Sequence, residues 1–430
     1  MKTFLTRAVP PKQDLIQKAY FISLLLLSVS IFSPKLAPTN LAVMVLGLVW
    51  VVDGKFVDKY KRLKKNPVAL AFKALFVLYF IGVFYTDETQ MGFKSLETKA
   101  PLLLFPLILG SASIEREYLR KTLLTFAYVC AGLSLVALIY QSFVVLEKND
   151  FNYFFSDGLV SIMDKRAVFY AMYVVFSILI LVDDLWKNLG KSSSKKKVLT
   201  ISTIIFLLLF LFLLATRASL AIVLVMLVTS LVVVGIRYGK LKYALPIVAA
   251  LMVFLMGLAV LFPQTVARFK SLRNISYDFT NTEGTYHFSG EDSDSKWNGV
   301  NLRLAKWVCA IDVISENPLG VGTGDVKNEM VEAYKKRNFA YAAENRFDPH
   351  NQYLDTAVAI GISGLIVLLF CYFYALFEAI RRKSWLTSMF LILVITCSIT
   401  ESTLSSAQGI IFISFMLFIL LSRVTTRNLI

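Results

Sequence analysis

Residues 207–224 read LLLFLFLLATRASLAIVL, a run in which Arg217 is the single charged side chain. An apolar stretch of about 17–25 residues is long enough to cross a bilayer as an α-helix. Comparable runs recur along the chain and are separated by short charged segments. This repetition predicts a helical membrane protein.

The overall composition leads to the same class. Hydrophobic residues make up 57% of the 430 residues, and the mean hydropathy is +0.65. The formal net charge of +16 could suggest a nucleic-acid partner, but Lys and Arg are concentrated in short clusters between the apolar runs. That placement is typical of cytoplasmic loops in membrane proteins. Nucleic-acid binding is therefore not expected.

The apolar runs predict an all-α polytopic fold of about twelve transmembrane helices. The first run follows a basic tail and has no evident signal-peptide cleavage site, so we interpret it as an anchor. The predicted spans lie near residues 16–33, 37–52, 67–85, 98–113, 121–146, 166–183, 198–215, 218–236, 243–262, 352–377, 385–400 and 404–422.

Loop charge predicts the orientation of these spans. Basic clusters recur at every second loop, which places those loops and both termini in the cytoplasm. Arg217, the long segment 263–351, His350 and Glu401 then face the outer side. The predicted organisation is transmembrane helices 1–9 in residues 1–262, an outer loop domain in 263–351, and helices 10–12 in 352–430.

The outer segment contains its own helical patterns. Residues 301–316, NLRLAKWVCAIDVISE, predict an amphipathic helix that carries Arg303, and a second helix is expected near 325–338. An arginine on a helix face is more often solvated than a ligand contact. Gly320, Gly322 and Gly324 are interpreted as a turn rather than an anion-binding loop, since no strand precedes them and no P-loop lysine follows.

Acidic pairs in the sequence do not predict a metal site. Asp292 and Asp294 resemble the opening of a calcium loop, but the remaining ligand positions are missing, so a solvated loop is favoured. The pair Asp183 and Asp184 is predicted to lie on the cytoplasmic side, away from the outer-face residues. No Cys/His cluster has zinc spacing. We expect neither a metal nor another cofactor.

Residues 346–364, RFDPHNQYLDTAVAIGISG, contain one of the two histidines. On a continuous helix His350, Leu354, Ala357, Gly361 and Gly364 would share one face, and the glycines would let a helix or lipid chain approach closely. Imidazole is basic yet largely neutral near pH 7, so His350 is a candidate general base. Taken alone, a helix-cap or interfacial histidine is the commoner interpretation.

Arg217 raises a similar question in the apolar run quoted first. A guanidinium near membrane depth is costly unless it faces a cavity, a partner or a ligand. A hairpin turn with an arginine that reaches back to the interface is the alternative. Asn, Gly or Pro would serve a turn at lower cost, so a ligand contact is favoured.

Together these segments resemble the O-antigen ligase family. His350 and Asn351, nine further residues, and then Gly361 and Gly364 match the family's pattern of His, Asn/Ser/Gln, nine residues, Gly, two residues, Gly/Thr/Tyr. The stretch around Arg303, RLAKWVCAIDVISENPLGVGTG, resembles the arginine-containing segment of O-antigen ligases, O-antigen polymerases and bacterial protein O-oligosaccharyltransferases. The span number and the large loop between spans nine and ten also look like this family.

The resemblance implies a GT-C-like membrane glycosyltransferase on the periplasmic face of a Gram-negative inner membrane. Such ligases transfer a glycan from undecaprenyl diphosphate to a sugar hydroxyl of lipid A-core. The implied catalytic residues are His350 as base, with Arg303 and Arg217 as a clamp on the diphosphate. The implied substrate-binding residues are Arg166, Asn351, Gly361 and Gly364. The partners would be the donor lipid, the acceptor and membrane lipids.

The implied chemistry suits these side chains. Guanidinium groups stabilise the charge that grows on a departing diphosphate, and a histidine base permits direct displacement with inversion. An O-antigen polymerase or a protein O-oligosaccharyltransferase would differ only in the acceptor. A glycan flippase or transporter would place charges along a path to both faces, whereas the arginines and His350 are predicted on one side.

Overall fold

The computed structural model describes residues 11–188, 193–214 and 299–425, together with residues 257, 279 and 297. Before the long gap the helices are α1 (Pro11–Ser30), α2 (Ala37–Val52), α3 (Phe56–Lys64), α4 (Pro67–Ile81), α5 (Thr89–Lys99), α6 (Pro101–Ile108), α7 (Arg116–Lys148), α8 (Ser156–Leu159), α9 (Ala167–Lys187) and α10 (Ser194–Leu213). After it they are α11 (Gly299–Glu316), α12 (Val326–Lys336), α13 (Ala340–Glu344), α14 (Gln352–Arg381), α15 (Trp385–Thr400) and α16 (Ala407–Leu421). Short 3₁₀ helices cover Phe151–Phe154 and Ser161–Met163.

Several of these helices have the length and composition of membrane spans. In the described residues four helices, α7, α9, α10 and α14, are long and apolar enough to cross a bilayer, and the bent pair α2 and α3 would make a fifth. Helices α4, α15 and α16 are shorter but also apolar. The chain is therefore an all-α membrane protein, as its composition predicts.

The predicted span at 98–113 is wrong as a single helix. Lys99 ends α5, and Pro101 begins the separate eight-residue helix α6, which also contains Pro106. Proline has no N–H to continue the ladder of helical hydrogen bonds, so it favours a new start or a break. At about 1.5 Å per residue, eight residues cover only about 12 Å of the bilayer.

Other sequence predictions fall outside the described residues. These are the spans near 218–236 and 243–262, Arg217, and the pair Asp292 and Asp294. The two helices expected within residues 263–351 are confirmed as α11 and α12. The carboxylates of Asp183 and Asp184 have basic partners, since Lys187 contacts Asp183 and Arg120 donates to Asp184.

The membrane helices pack around α9, which is buried along nearly its whole length. It packs against α7, α10 and α15. Aromatic rings fill these contacts, since the Phe176 ring of α9 lies 6.2 Å from Phe126 of α7 and 4.6 Å from Phe390 of α15, measured between ring centroids. Arg166, at the start of α9, is thereby fixed by the core beneath it.

Helices α11, α12 and α13 form a second hydrophobic cluster. Trp297, Tyr334 and Phe339 are buried in it, with the Trp297 and Phe339 rings 4.7 Å apart. Val358, from the outer part of α14, belongs to the same cluster. Helix α14 thus joins the outer cluster to the membrane helices.

Helix α14 is interrupted at Ile360 and Gly361, so the predicted continuous face from His350 to Gly364 is wrong. Gly361 has φ 73° and ψ −172°, a conformation that is essentially restricted to glycine. The loop after α11 fills the break. Val321 and Gly322 N–H donate to the carbonyls of Val358 and Ala359 at 2.9 and 3.0 Å, and Ile362 N–H donates to Pro318 O at 3.0 Å.

One small parallel strand pair departs from the all-α prediction. Strand β1 (Ser113–Glu115) pairs with β2 (Arg423–Thr425) near the end of the chain. The Gln17 side chain of α1 donates to Ser113 O at 2.8 Å and accepts from Glu115 N at 3.0 Å. The strand pair therefore ties the segment before α7 to residues 423–425, and Gln17 ties α1 to the same segment.

Candidate functional site

The carboxylate of Glu401 lies at the centre of a cluster of charged side chains. Glu401 caps the C-terminus of α15 and begins the loop to α16, and its side chain is 3% exposed. Side chains of α14 and α5 hold this loop in place, because Leu404 N–H donates to Gln352 Oε1 at 2.6 Å and Lys99 Nζ donates to Leu404 O at 3.2 Å. The position of Glu401 is thus set by α14 and α5 as well as by α15.

Three basic side chains converge on this carboxylate. Arg303 Nη2 lies 2.9 Å from Oε1, while His350 Nδ1 and Arg166 Nη2 lie 3.1 Å and 3.6 Å from Oε2. Burial by itself would raise the pKa of Glu401, but the hydrogen bond from His350 and the nearby positive charges lower it to about 2. Glu401 is therefore an anion at neutral pH.

His350 is held in a strained turn immediately before α14. Its φ of 47° is unusual for a residue with a side chain, and Asp348 Oδ1 stabilises the turn by accepting from His350 N–H at 2.8 Å. An ionised carboxylate can only accept, so the bond to Glu401 places a hydrogen on Nδ1. In the neutral ring the basic lone pair is then on Nε2, which lies 3.6 Å from Asp348 Oδ1.

The donor groups of Arg303 are directed at protein atoms. Nε donates to Thr400 O at 3.1 Å, Nη1 to Gly299 O at 3.0 Å, and Nη2 to Glu401. Arg303 is only half-buried, yet it is not the free, solvated charge that its helix face alone suggests. Its contacts fix Glu401 to the outer helix α11.

Arg166 is the more available guanidinium. Its side chain is 49% exposed, and its contact to Glu401 is the longest of the three. Its backbone N–H lies 3.4 Å from Gln408 Oε1, and its guanidinium lies 5.8 Å from the Phe169 ring centroid. Arg166 is held near the carboxylate and is still open to an anionic ligand.

Lys306 is a further cation, one turn along α11 from Arg303. It is buried, with Nζ 4.9 Å from the centroid of the Phe347 ring, and it makes no hydrogen bond within the described part of the chain. Burial lowers the pKa of Lys306 to about 7, although the negative charge of Asp348 opposes the shift. Lys306 therefore adds a titratable positive charge beneath the His350 turn.

The other three residues predicted to bind substrate are Asn351, Gly361 and Gly364, and each lies against atoms of the protein itself. Asn351 caps α14, because its Oδ1 accepts from Tyr353 and Leu354 N–H at 3.0 and 3.2 Å. A Cβ on Gly361 would lie 2.4 Å from the Leu319 carbonyl carbon, and one on Gly364 would meet the Ile360 side chain. The close neighbour of Gly361 is therefore the loop that fills the break, not a second helix or a lipid. Binding roles for these three residues stay predictions.

This arrangement brings together Arg166, Arg303 and His350, which the sequence had proposed as parts of one site. Residues 202–369 match the O-antigen ligase family. The matched segment covers 168 of the 430 residues and includes Arg217, Arg303 and the whole His350 motif. No curated protein matches the chain. The O-antigen ligase match supports an enzyme of the glycosyltransferase type.

Sequence reasoning missed three residues of the cluster, namely Glu401, Asp348 and Lys306. Glu401 was placed on the outer side but was not assigned to the site. It is the one charged residue between Trp385 and Ser422, so the burial argument that singled out Arg217 applies to it equally. Lys306 and Asp348 gave no comparable signal, since charged residues are common in an outer loop.

Proposed function

We propose that the protein is an O-antigen ligase, which transfers a glycan from undecaprenyl diphosphate to a sugar hydroxyl of lipid A-core in lipopolysaccharide biosynthesis. The observation that carries the proposal is the His350 and Glu401 pair beside Arg166, within a chain that matches the O-antigen ligase family. The pair suits a general base, and the nearby arginine suits a diphosphate leaving group.

In the proposed reaction His350 Nε2 takes the proton from the acceptor hydroxyl. The acceptor oxygen forms a bond to the anomeric carbon while the bond from that carbon to the diphosphate oxygen breaks, and the electron pair leaves with the diphosphate. Direct displacement inverts the anomeric centre. The imidazolium that forms lies between the carboxylates of Glu401 and Asp348, which stabilise its charge.

The leaving group would be held by the arginine that remains available. Arg166 is half-exposed and can contact the diphosphate directly, whereas Lys306 is buried and would contribute only its nearby positive charge. Arg217 lies outside the described residues and stays in the proposal on the sequence match. Because Arg303 is engaged with Glu401, Thr400 and Gly299, we assign it chiefly to positioning the base rather than to the diphosphate clamp.

The proposed location is the periplasmic face of a Gram-negative inner membrane, with both termini cytoplasmic. About twelve spans, with the one near 98–113 broken at Pro101, an outer loop domain at 263–351 and the flanking units 1–262 and 352–430 complete this topology. The convergence of Arg166, Arg303, His350 and Glu401 supports it, because all four were expected on the same outer side.

The test is glycan transfer by the purified protein. Lipid-linked glycan is incubated separately with lipid A-core, with glycan repeat units and with an acceptor protein, and the product is identified by mass. We expect transfer to lipid A-core. Product with only the second or third acceptor would instead indicate a polymerase or a protein O-oligosaccharyltransferase, and donor movement without a new glycosidic bond would indicate a transporter.

The histidines provide the matched variants for this assay. His350→Ala should lose single-turnover transfer, by about 10²-fold or more for a general base, while donor binding persists. His287→Ala changes the other histidine and should transfer at the parent rate. Near-parent transfer by His350→Ala would remove the base from the proposal.

A further inference from the structure

The two ends of α1 identify two opposite faces of the protein. Ser33, just beyond the end of α1, accepts from Lys165 Nζ at 2.8 Å, and the adjacent Arg166 contacts Glu401. The other end of α1 begins 20 residues earlier, about 30 Å away along a straight helix. A polar cavity at that remote end has no part in the transfer chemistry.

The cavity has a volume of about 510 Å³ and lies between the start of α1, the α2 to α3 corner and β1. Its lining contains Gln13 and Gln17 together with the basic side chains Lys55, Lys61, Arg62 and Lys65. The cavity therefore combines neutral hydrogen-bond donors with four positive charges.

The acidic residues at the cavity do not cancel these charges. Asp53 is engaged by Lys59, whose Nζ lies 3.0 Å from Oδ2, and Asp58 contributes the single further carboxylate. Lys61 and Lys65 have no ion-pair partner within the described part of the chain. A net positive charge is left inside a concave surface, which favours an anionic ligand.

The helix that supplies two of these cations and is flanked by the other two also has an uncovered apolar face. Helix α3 turns 111° away from α2. Phe56, Val57 and Tyr60 share one side of it and are 53%, 68% and 67% exposed. A short basic helix with exposed aromatic and aliphatic residues along one side is suited to lie in the plane of a membrane interface.

The corner between α2 and α3 is itself rigid. Lys59 is buried and donates its ammonium to Trp50 O, and the same Nζ lies 4.7 Å from the Trp50 ring centroid. Lys59 also pairs with Asp53, so one side chain joins both helices. The cavity is thus preformed at the end of α1 that is remote from the Glu401 cluster.

We propose that this cavity binds the phosphate head group of an anionic phospholipid, in the leaflet opposite the Glu401 cluster. The phosphate would contact Lys61, Arg62 and Lys65, with the glutamines of α1 as further donors. The acyl chains would lie beside Phe56 and Tyr60. The uncovered apolar face favours a lipid over a soluble anion, because a soluble phosphate would gain nothing from it.

A lipid in this position would hold two helices together and so stabilise the fold. Its head group would bridge α1 and α3 next to β1, which already holds the start of α1 through Gln17. A ligand that binds the folded state alone raises the free energy of unfolding. The proposal therefore predicts lipid-dependent thermal stability, and it is independent of glycan transfer.

The test uses the full-length protein in nanodiscs of phosphatidylcholine with or without phosphatidylglycerol. We expect phosphatidylglycerol to raise the Tm of the parent and to remain bound in native mass spectra. In Lys61→Gln/Lys65→Gln the rise should fall to less than about half of the parent value. The control Lys64→Gln/Lys195→Gln removes the same charge from basic segments outside the cavity lining and should keep the full rise.

Two results would overturn the proposal. An equal loss in both double variants would mean that phosphatidylglycerol acts through general surface charge. An equal rise in phosphatidylcholine nanodiscs supplied with glycerol phosphate would mean that the cavity takes a soluble anion and not a lipid.

Discussion

Glu401 connects three residues that lie far apart in the sequence. One oxygen accepts from Arg303 of the outer helix, and the other faces His350 and Arg166. Such a shared carboxylate fixes the imidazole tautomer and also stabilises the imidazolium after proton transfer. An acidic side chain therefore holds the site together, although the sequence analysis selected only basic residues.

Replacing Glu401 tests this role directly. Glu401→Gln keeps the size of the side chain but removes its charge, so His350 should lose both its tautomer control and the charge that stabilises the imidazolium. We expect kcat for glycan transfer to fall by about 10²-fold, within the range of general-base effects, while donor binding is retained. Glu378→Gln alters a carboxylate that is held by Arg381 and Arg382, and it should leave transfer unchanged.

Lysine substitutions distinguish the roles proposed for Arg303 and Arg166. Arg303→Lys loses the fork that reaches Thr400, Gly299 and Glu401, so we expect a lower kcat with an unchanged donor KM. Arg166→Lys should raise the donor KM instead, because Arg166 is the exposed cation. The steady-state constants for lipid-linked donor decide between the roles, and the opposite pattern would restore Arg303 to the diphosphate clamp.

The dependence of folding stability on acidic pH tests the role of Glu401 without any substrate. The pKa of Glu401 is lowered to about 2 from its ordinary value of 4.5, so its ionised form stabilises the folded protein at and above about pH 5. This contribution is lost as the pH falls from 4.5 toward 2. Thermal unfolding in detergent should show the parent more stable than Glu401→Gln at pH 7, with a difference that shrinks below pH 4. A constant difference would contradict the assignment.

At the scale of elements, the break in α14 shows where sequence reasoning ends. The start of this helix was predictable, since Asn351 is a good cap before an apolar run. The break was not, because it depends on Val321 and Gly322, which come from another segment and donate their N–H groups to the carbonyls of Val358 and Ala359. Hydrophobic periodicity reports only on residues that are near one another along a helix, whereas the segment that bonds to this break is about 40 residues away in the sequence.

Alanine at position 361 tests the break. Gly361→Ala forces a side chain into a glycine-only conformation and against the Leu319 backbone, so we expect a loss of about 1–3 kcal/mol in stability together with lower activity. Gly132→Ala is the control, since a Cβ there meets no atom within 4 Å and helix propensity favours alanine. Chemical or thermal unfolding of both variants provides the comparison.

At the scale of the whole molecule, the apolar runs located most membrane helices well. Helices α2 and α15 have the predicted bounds, because prolines or charged residues border each run. Helix α3 was assigned to a loop since its lysines hid an amphipathic pattern. The cluster around Glu401 required the packing of distant helices, which no local pattern contains.

The two faces can be distinguished by labelling. In a cysteine-free background, Lys335→Cys on α12 and Lys64→Cys on α3 place exposed thiols at the two ends of the structure. A membrane-impermeant maleimide should label the first from outside spheroplasts, and it should label the second only after lysis. Labelling of both from the same side would reject the proposed topology.

The break in α14 also bears on how far the candidate site lies from the apolar layer of the membrane. Residues 362–381, beyond the break, number 20 and extend about 30 Å, which is the thickness of the apolar layer. In the proposed topology, the eight residues from Gln352 to Ala359 would then extend beyond that layer and hold His350 outside it. In the proposed reaction, a hydroxyl at the end of a hydrophilic glycan would reach His350 without entering the bilayer, while the hydrophobic chain of the donor lipid would stay within it.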